Sequence, residues 1–293
     1  MDNGSALFVA LVNKIKDNLL PLPTTLDQLN RLDLESSTST QITKIIEMDQ
    51  AMVSRLLKLA NSAYYGVSQR ITTVSGAIVC LGFNRVKSMA FTVSANKIFK
   101  NNMDNYHMDS NILFEHSIAV AIGARLISEK TGIGKPEESY VMGLIHDIGK
   151  VVLNQFLGSI FGKVWEYYKQ NDKKFFQAER EVLGFHHGDI GAEIAKKWNF
   201  PIELCNSIGF HHEPEKAKSR NMGAYVVHLA NSIAKTLDVG TGIVKSQDLK
   251  IEMDGIFHDK YIGELKLQKE QILEMRLFIM DRIKQVLNEI KEG

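Results

Sequence analysis

Only two cysteines, Cys80 and Cys205, occur in 293 residues. Both lie in apolar helical contexts, with no CxxC or zinc-finger spacing, which excludes a disulfide framework and predicts reduced thiols packed in the core. A chain of this length buries a core without such staples, so a metal, where present, is functional rather than needed for folding. No run approaches ~18 consecutive apolar residues, and the opening MDNGSALFVALVNKIKDN has no basic stretch ahead of its short apolar one. It reads as an amphipathic helix, and the expected location is cytoplasmic, with no membrane partner. Neither sign of charge dominates: 35 Lys and Arg against 34 Asp and Glu leave a formal +1. The totals give no electrostatic case for nucleic acid, and the basic KAKSR at 216–220 reads as a solvated loop. β-alternation, internal repeats and low-complexity tracts are also missing.

What is there has helical spacing nearly throughout, so the fold class is all-α. Ile42, Ile45, Ile46, Val53, Leu56, Leu57 and Ala60 recur at three- and four-residue intervals over 41–61, with Asp49 placed to cap the second of two helices. NSAYYG at 61–66 ends that pattern. It reads either as a turn whose rings cover the core or as a loop that faces a cleft and binds a partner. Further helices are predicted over 74–82, 84–100, 112–130, 139–156, 158–171, 175–184, 188–198, 201–212, 222–237 and 266–291. The last is more apolar than one stripe requires. The polar KNNMDNYHMDSN at 100–111 divides the chain into an N-terminal lobe, 1–105, and a C-terminal lobe, 106–293. TGIGKPEES at 131–139 lacks the Gly-x4-Gly-Lys-Ser/Thr spacing of a phosphate loop and reads as a helix stop followed by a helix start.

The informative residues are histidines on inward helical stripes. His116 lies four residues after Ile112 and four before Val120. His146 shares a face with Met142, Gly149 and Leu153, and Asp147 is displaced by ~100° around the same predicted helix. Gly143 and Gly149 would let neighbouring backbones or a ligand come close. His187 opens the helix of Ile190, Gly191, Ile194 and Trp198, and Pro201 opens the next, on which Leu204, Ile208, His211 and His212 fall on the buried face. Neutral imidazoles with a carboxylate suit a divalent transition ion such as Fe, Mn, Zn or Ni.

The dyad His146–Asp147 on a helical scaffold resembles the HD superfamily of metal-dependent phosphohydrolases. HDIGK at 146–150, then His187, then HHE at 211–213 look like the motif order of its cyclic-dinucleotide phosphodiesterase branch. That resemblance implies His146, Asp147, His187, His211 and His212 as metal ligands, with His116 in the same pocket and Lys150 near the phosphate. Two departures stand against an active centre: HHEP runs into EKAKSRN without the branch's Gly-Tyr-Pro, and the distal aspartate position holds Asn231, which carries no anionic charge. One carboxylate among the matched ligands cannot balance two divalent ions, so one ion or none is expected rather than two, unless Glu213 helps.

A second resemblance covers roughly residues 15–235. LPLPTTLDQL at 20–29, MDQAMVSRLLKLANSAYYG at 48–66, ITTVSGAIVCLGFNRVKSMAF at 71–91 and EREVLGFHHGDIGAEIAKKWNFPIELCNSIGFHHEP at 179–214 are similar to the HDOD family, the HD-related output domain of bacterial signalling proteins. The resemblance implies two helical lobes, the second HD-phosphohydrolase-like, in a regulatory protein that acts by binding signalling partners and has little or no hydrolase activity. A nucleotide ligand is a further expectation. Because the HDOD-like stretch fills most of the sequence, no attached receiver or enzymatic output domain is expected. The rival is a metal-dependent phosphohydrolase of a nucleotide or cyclic dinucleotide, with Lys150 in a catalytic role.

Overall fold

A computed structural model describes residues 3–17, 20–32, 38–99, 103–108, 111–217, 221–237 and 261–291. Sixteen α-helices order these residues: α1 (Asn3–Lys16), α2 (Thr24–Arg31), α3 (Ser39–Glu47), α4 (Gln50–Ala60), α5 (Val74–Leu81), α6 (Phe83–Phe99), α7 (Ile112–Thr131), α8 (Pro136–Ile145), α9 (Ile148–Phe156), α10 (Gly158–Gln170), α11 (Phe175–Leu183), α12 (His187–Lys197), α13 (Ile202–Gly209), α14 (Met222–Lys235), α15 (Ile262–Leu265) and α16 (Lys269–Lys291). The described residues contain no strand, only an isolated bridge between Met103 and Met108. None of their helices is long and apolar enough to cross a membrane.

Local chemistry sets the helix starts. Thr38 and Gln41 form a reciprocal capping box ahead of α3, satisfying two amide donors that a helix leaves unpaired. Asp49 Oδ1 accepts from the Met52 amide at 2.9 Å, as its spacing predicted, and Thr73 caps α5 in the same way. α5 turns Val74, Ala77 and Ile78 inward. Cys80 falls on the other side of that helix and is exposed, which corrects the expectation of a core thiol; Cys205 is buried.

Two longer helices were expected and are shorter. The segment 139–156 is not one helix: α8 stops at Ile145 and α9 begins at Ile148, with His146 and Asp147 in the turn between them. The ~100° relation between these side chains therefore does not apply. Likewise α13 ends at Gly209, so His211 and His212 occupy a turn beyond it. Glu213 precedes Pro214, whose ring disfavours helical backbone at the residue before it, and the chain leaves the helix ahead of that point.

The halves of the chain interlock. One apolar core runs from Leu11 to Ile290. α1 packs on α11 and α12, while α16 packs on both α4 and α7. Arg125 of α7 ties the halves together: its guanidinium contacts Glu137 Oε2 at 2.5 Å, Tyr64 Oη at 2.6 Å and Ser88 Oγ at 3.1 Å, and it stands over the Tyr140 ring. NSAYYG is thus a turn built into this junction. Asn61 holds it, donating to the Leu57 and Ile71 carbonyls and accepting from the Ile71 amide, all at 2.7 Å. The predicted joint at 100–111 is described only over 103–108, where a short 3-10 turn, Asp104–Tyr106, packs on α9 and α10.

The glycines permit backbone contact. A β-carbon on Gly143 would sit 2.7 Å from the Val120 carbonyl oxygen of α7, and one on Gly149 would sit 1.9 Å from the His187 carbonyl oxygen of α12. Gly149→Ala is therefore expected to force α9 off α12, at a cost of about 3 kcal/mol or more. A urea midpoint within error of the wild type would show that the two helices are not in this contact.

Candidate metal centre

Both sequence-adjacent pairs, His146–Asp147 and His211–His212, lie in helix breaks. Neighbouring residues within a helix point about 100° apart, so a break is what lets both members of a pair face one cavity. At the α8–α9 junction Asp147 takes φ −99° and ψ 10°. Its carboxylate does not cap α9 but turns into the pocket, where Lys150 Nζ donates to Oδ2 at 2.7 Å. At the end of α13, His211 and His212 bring their ring centroids within 4.0 Å.

Five imidazoles surround Asp147 or adjoin those that do. Oδ1 lies 3.1 Å from His187 Nε2 and 3.8 Å from His211 Nε2. Oδ2 lies 3.3 Å from His146 Nε2 and 3.9 Å from His116 Nε2. His212 Nε2 sits 2.9 Å from His187 Nε2, and its ring stacks on Phe176. Asp147, His146, His187 and His211 are almost wholly shielded from solvent. The structure thus brings together every histidine that sequence spacing selected, plus Asp147 and Lys150. Three groupings have donor atoms close enough to share an ion: His187, His211 and His212; His116, His146 and Asp147; and Glu179, His186 and His187.

Tautomers follow from the outer hydrogen bonds. His146 Nδ1 faces the Gly143 carbonyl at 2.7 Å and His211 Nδ1 faces the Ile208 carbonyl at 2.6 Å. A carbonyl only accepts, so each Nδ1 carries the proton and each Nε2 presents a lone pair to the cavity. Those two Nε2 atoms and Asp147 Oδ1 are buried without a hydrogen-bond partner. Buried acceptors turned toward one another repel, and a bound cation relieves that repulsion. The donor set fits a borderline divalent ion.

The pocket also keeps its imidazoles available. Burial, then neighbouring charge, holds His116, His211 and His212 well below the ordinary 6.5, and burial lowers His186 to about 3. Burial alone would lift Asp147, but His146, Lys150 and His187 together bring it well below the usual carboxylate range. His187 is the exception: burial lowers it, and Glu179 and Asp147 on its two sides more than reverse that.

Several contacts were not foreseen from sequence. Glu179 of α11, fully buried, accepts from His187 Nδ1 at 2.5 Å and from the His187 amide at 3.0 Å, and Tyr106 donates to its other oxygen at 2.6 Å. A glutamate at an inward position of an amphipathic helix was the available signal. His228 Nδ1 faces the His211 carbonyl at 2.8 Å. Asn231 Oδ1 lies 3.1 Å from His116 Nε2, so that nitrogen is engaged with the amide. Glu213, considered as a ligand, instead pairs with Arg180 at 2.5 Å and Lys216 at 2.6 Å. Of the basic KAKSR tract, residues 218–220 lie outside the described residues.

An all-helical fold whose buried His–Asp dyad sits in a helix break defines an HD-related domain. More specifically, the model of the HDOD domain matches residues 19–214, and the chain belongs to this signalling-associated HD-like family. A solved HDOD domain protein with unknown function from Geobacter sulfurreducens superposes with a TM-score of 0.71 at 24% identity, over 97% of this chain and 95% of that one; this likeness is one of fold. An uncharacterized protein of Treponema pallidum is 25% identical over 224 residues, 76% of this chain and 43% of that protein. Ribonuclease Y of Mycoplasmoides gallisepticum is 30% identical over 165 residues, 54% of this chain and 25% of that enzyme. The chain thus spans less than half the length of either curated relative.

The neutral histidines set a pH dependence. A histidine whose folded pKa lies below its unfolded value of 6.5 takes up a proton on unfolding, so stability rises with pH between the two values and falls as the solution is acidified. His116, His186, His211 and His212 all act with this sign. His187 acts oppositely, but only above 6.5. Metal-free protein is therefore expected to lose stability as pH falls from 6.5 toward 4.5, each histidine contributing up to about 1.4 kcal/mol per pH unit. Urea denaturation at stepped pH checks this, and a flat profile would contradict a neutral imidazole cluster.

Proposed function

We propose that this chain is a bacterial regulatory protein of signal transduction that works in the cytoplasm by binding signalling partners. In this reading it carries one divalent transition ion, Fe, Mn, Zn or Ni, and has little or no hydrolase activity. The observation that carries it is the set of buried, partnerless acceptors around Asp147. His187, His211 and His212 form one group of donors close enough to share an ion, and Asp147 Oδ1 lies beside it, 3.1 Å from His187 Nε2 and 3.8 Å from His211 Nε2. On the other side of the dyad, His116 is engaged by Asn231, where the phosphohydrolase pattern has an anionic ligand. When bound, the ion would hold the breaks after α8 and α13 to α12, so that ion binding and the surface offered to a partner are linked. Membership of a signalling-associated family supports the partner-binding role. The lobe boundary near residue 105 belongs to the same proposal, with Arg125 fastening the halves across it.

A hydrolase is the second reading, favoured by the retained Lys150–Asp147 contact and by the partial match to Ribonuclease Y. In that role the ion supplies Lewis-acid activation of water and of a phosphoryl oxygen, and Lys150 would steady the phosphate of a nucleotide or cyclic dinucleotide.

Elemental analysis of tag-free protein is expected to find about one transition ion per chain. Asn231→Asp, which returns an anionic ligand beside His116, is expected to raise the ratio toward two. A wild-type ratio of two, with cyclic-dinucleotide or nucleotide hydrolysis in Mn²⁺ or Fe²⁺ that Asp147→Ala abolishes, would replace the regulatory reading with the enzymatic one. Affinity capture with metal-loaded protein is expected to retain a signalling partner that Asp147→Ala loses.

A further inference from the structure

Glu179 is a fully buried carboxylate to which no Lys or Arg among the described residues is paired; both its oxygens are spent on the pocket wall. Oε2 accepts from the His187 ring and the His187 amide, and Oε1 accepts from Tyr106. A carboxylate that only accepts fixes the proton of His187 on Nδ1. Nε2 is then left turned toward Asp147 Oδ1 and His212 Nε2, at 3.1 and 2.9 Å. Tyr106 is held in turn: its ring packs on Phe161 and Phe175. The turn that carries it is pinned by Asn154, which accepts from the Asn105 amide at 3.0 Å, and by Trp165, whose Nε1 donates to the Asn105 carbonyl at 2.8 Å.

Resting on the metal reading above, we propose that Glu179 and Tyr106 are positioning residues of the metal centre. Glu179 aims His187 at the ion and strengthens it as a ligand, and Tyr106 holds Glu179 in place from the 103–108 turn. Acceptors behind metal-bound imidazoles act in this way generally, and their loss typically costs 10- to 100-fold in metal affinity. Glutamine in place of Glu179 keeps the size but removes the charge. It also offers an NH₂ group where one of the three present donors now points.

The test is competition of full-length, metal-stripped protein for Zn²⁺ against a chelating dye, with the visible spectrum of the Co²⁺ form as a second readout. Glu179→Gln is expected to weaken Zn²⁺ binding about 10- to 100-fold and to alter the Co²⁺ bands, which a purely packing role would leave unchanged. Tyr106→Phe is expected to give a smaller loss in the same direction. Glu213→Gln, a nearby carboxylate turned away to Arg180 and Lys216, serves as the control and should leave both readouts at the wild-type values. A folded Glu179→Gln protein with wild-type affinity and spectrum would overturn the proposal. Should that variant not fold, wild-type affinity in Tyr106→Phe would do so. Wild-type protein that binds neither ion would instead refute the metal centre itself, and this assignment with it.

Discussion

Everything at the centre of this molecule depends on one backbone-to-backbone approach, where Gly149 of α9 lies against the His187 carbonyl of α12. Hydrocarbon side chains keep packed helices 8–10 Å apart; without a β-carbon the helices close further. That closeness lets His187 reach Asp147 across the interface. Gly191, whose β-carbon would meet Ile208 at 2.9 Å, extends the same tight seam to α13, which delivers His211 and His212.

Within that seam the electrostatics are unusual for a core. A buried polar group ordinarily finds a partner, since an unmet one costs about 1–3 kcal/mol. Here several lone pairs converge with none, while the outer ring nitrogens of His146 and His211 are satisfied by the carbonyls of Gly143 and Ile208. Such an arrangement disfavours the metal-free state and favours any cation that can enter. Burial makes His116, His211 and His212 resist protonation, so protons compete poorly for their lone pairs.

Much of this was legible in the sequence. The 3.6-residue periodicity located nearly every helix, and the histidines on inward stripes do converge. The capping role of Asp49 followed from its position alone. What periodicity could not reveal was where a helix stops without a glycine or proline at the break. Apolar spacing continues through His146 and Asp147 because the core continues there, although the backbone hydrogen bonding does not. Convergence of two adjacent side chains was itself the missed clue, since a helix would have splayed them. Glu179 stayed invisible for another reason: a single acidic residue on an apolar face is read as an imperfection of the stripe, and its partners lie 8 and 73 positions away. The exposure of Cys80 likewise depended on which face α5 turned inward.

The first helix lies outside the stretch that matches the family model, which begins at residue 19, yet it seats Gly4 on the Leu183–Gly184 backbone and Phe8 against Phe185. Those positions immediately precede His186 and His187. The stretch that matches the family is therefore smaller than the packed unit: residues that a homology boundary would trim away brace the start of the helix that carries His187, and evolution could retune the centre by altering a segment that touches none of its atoms.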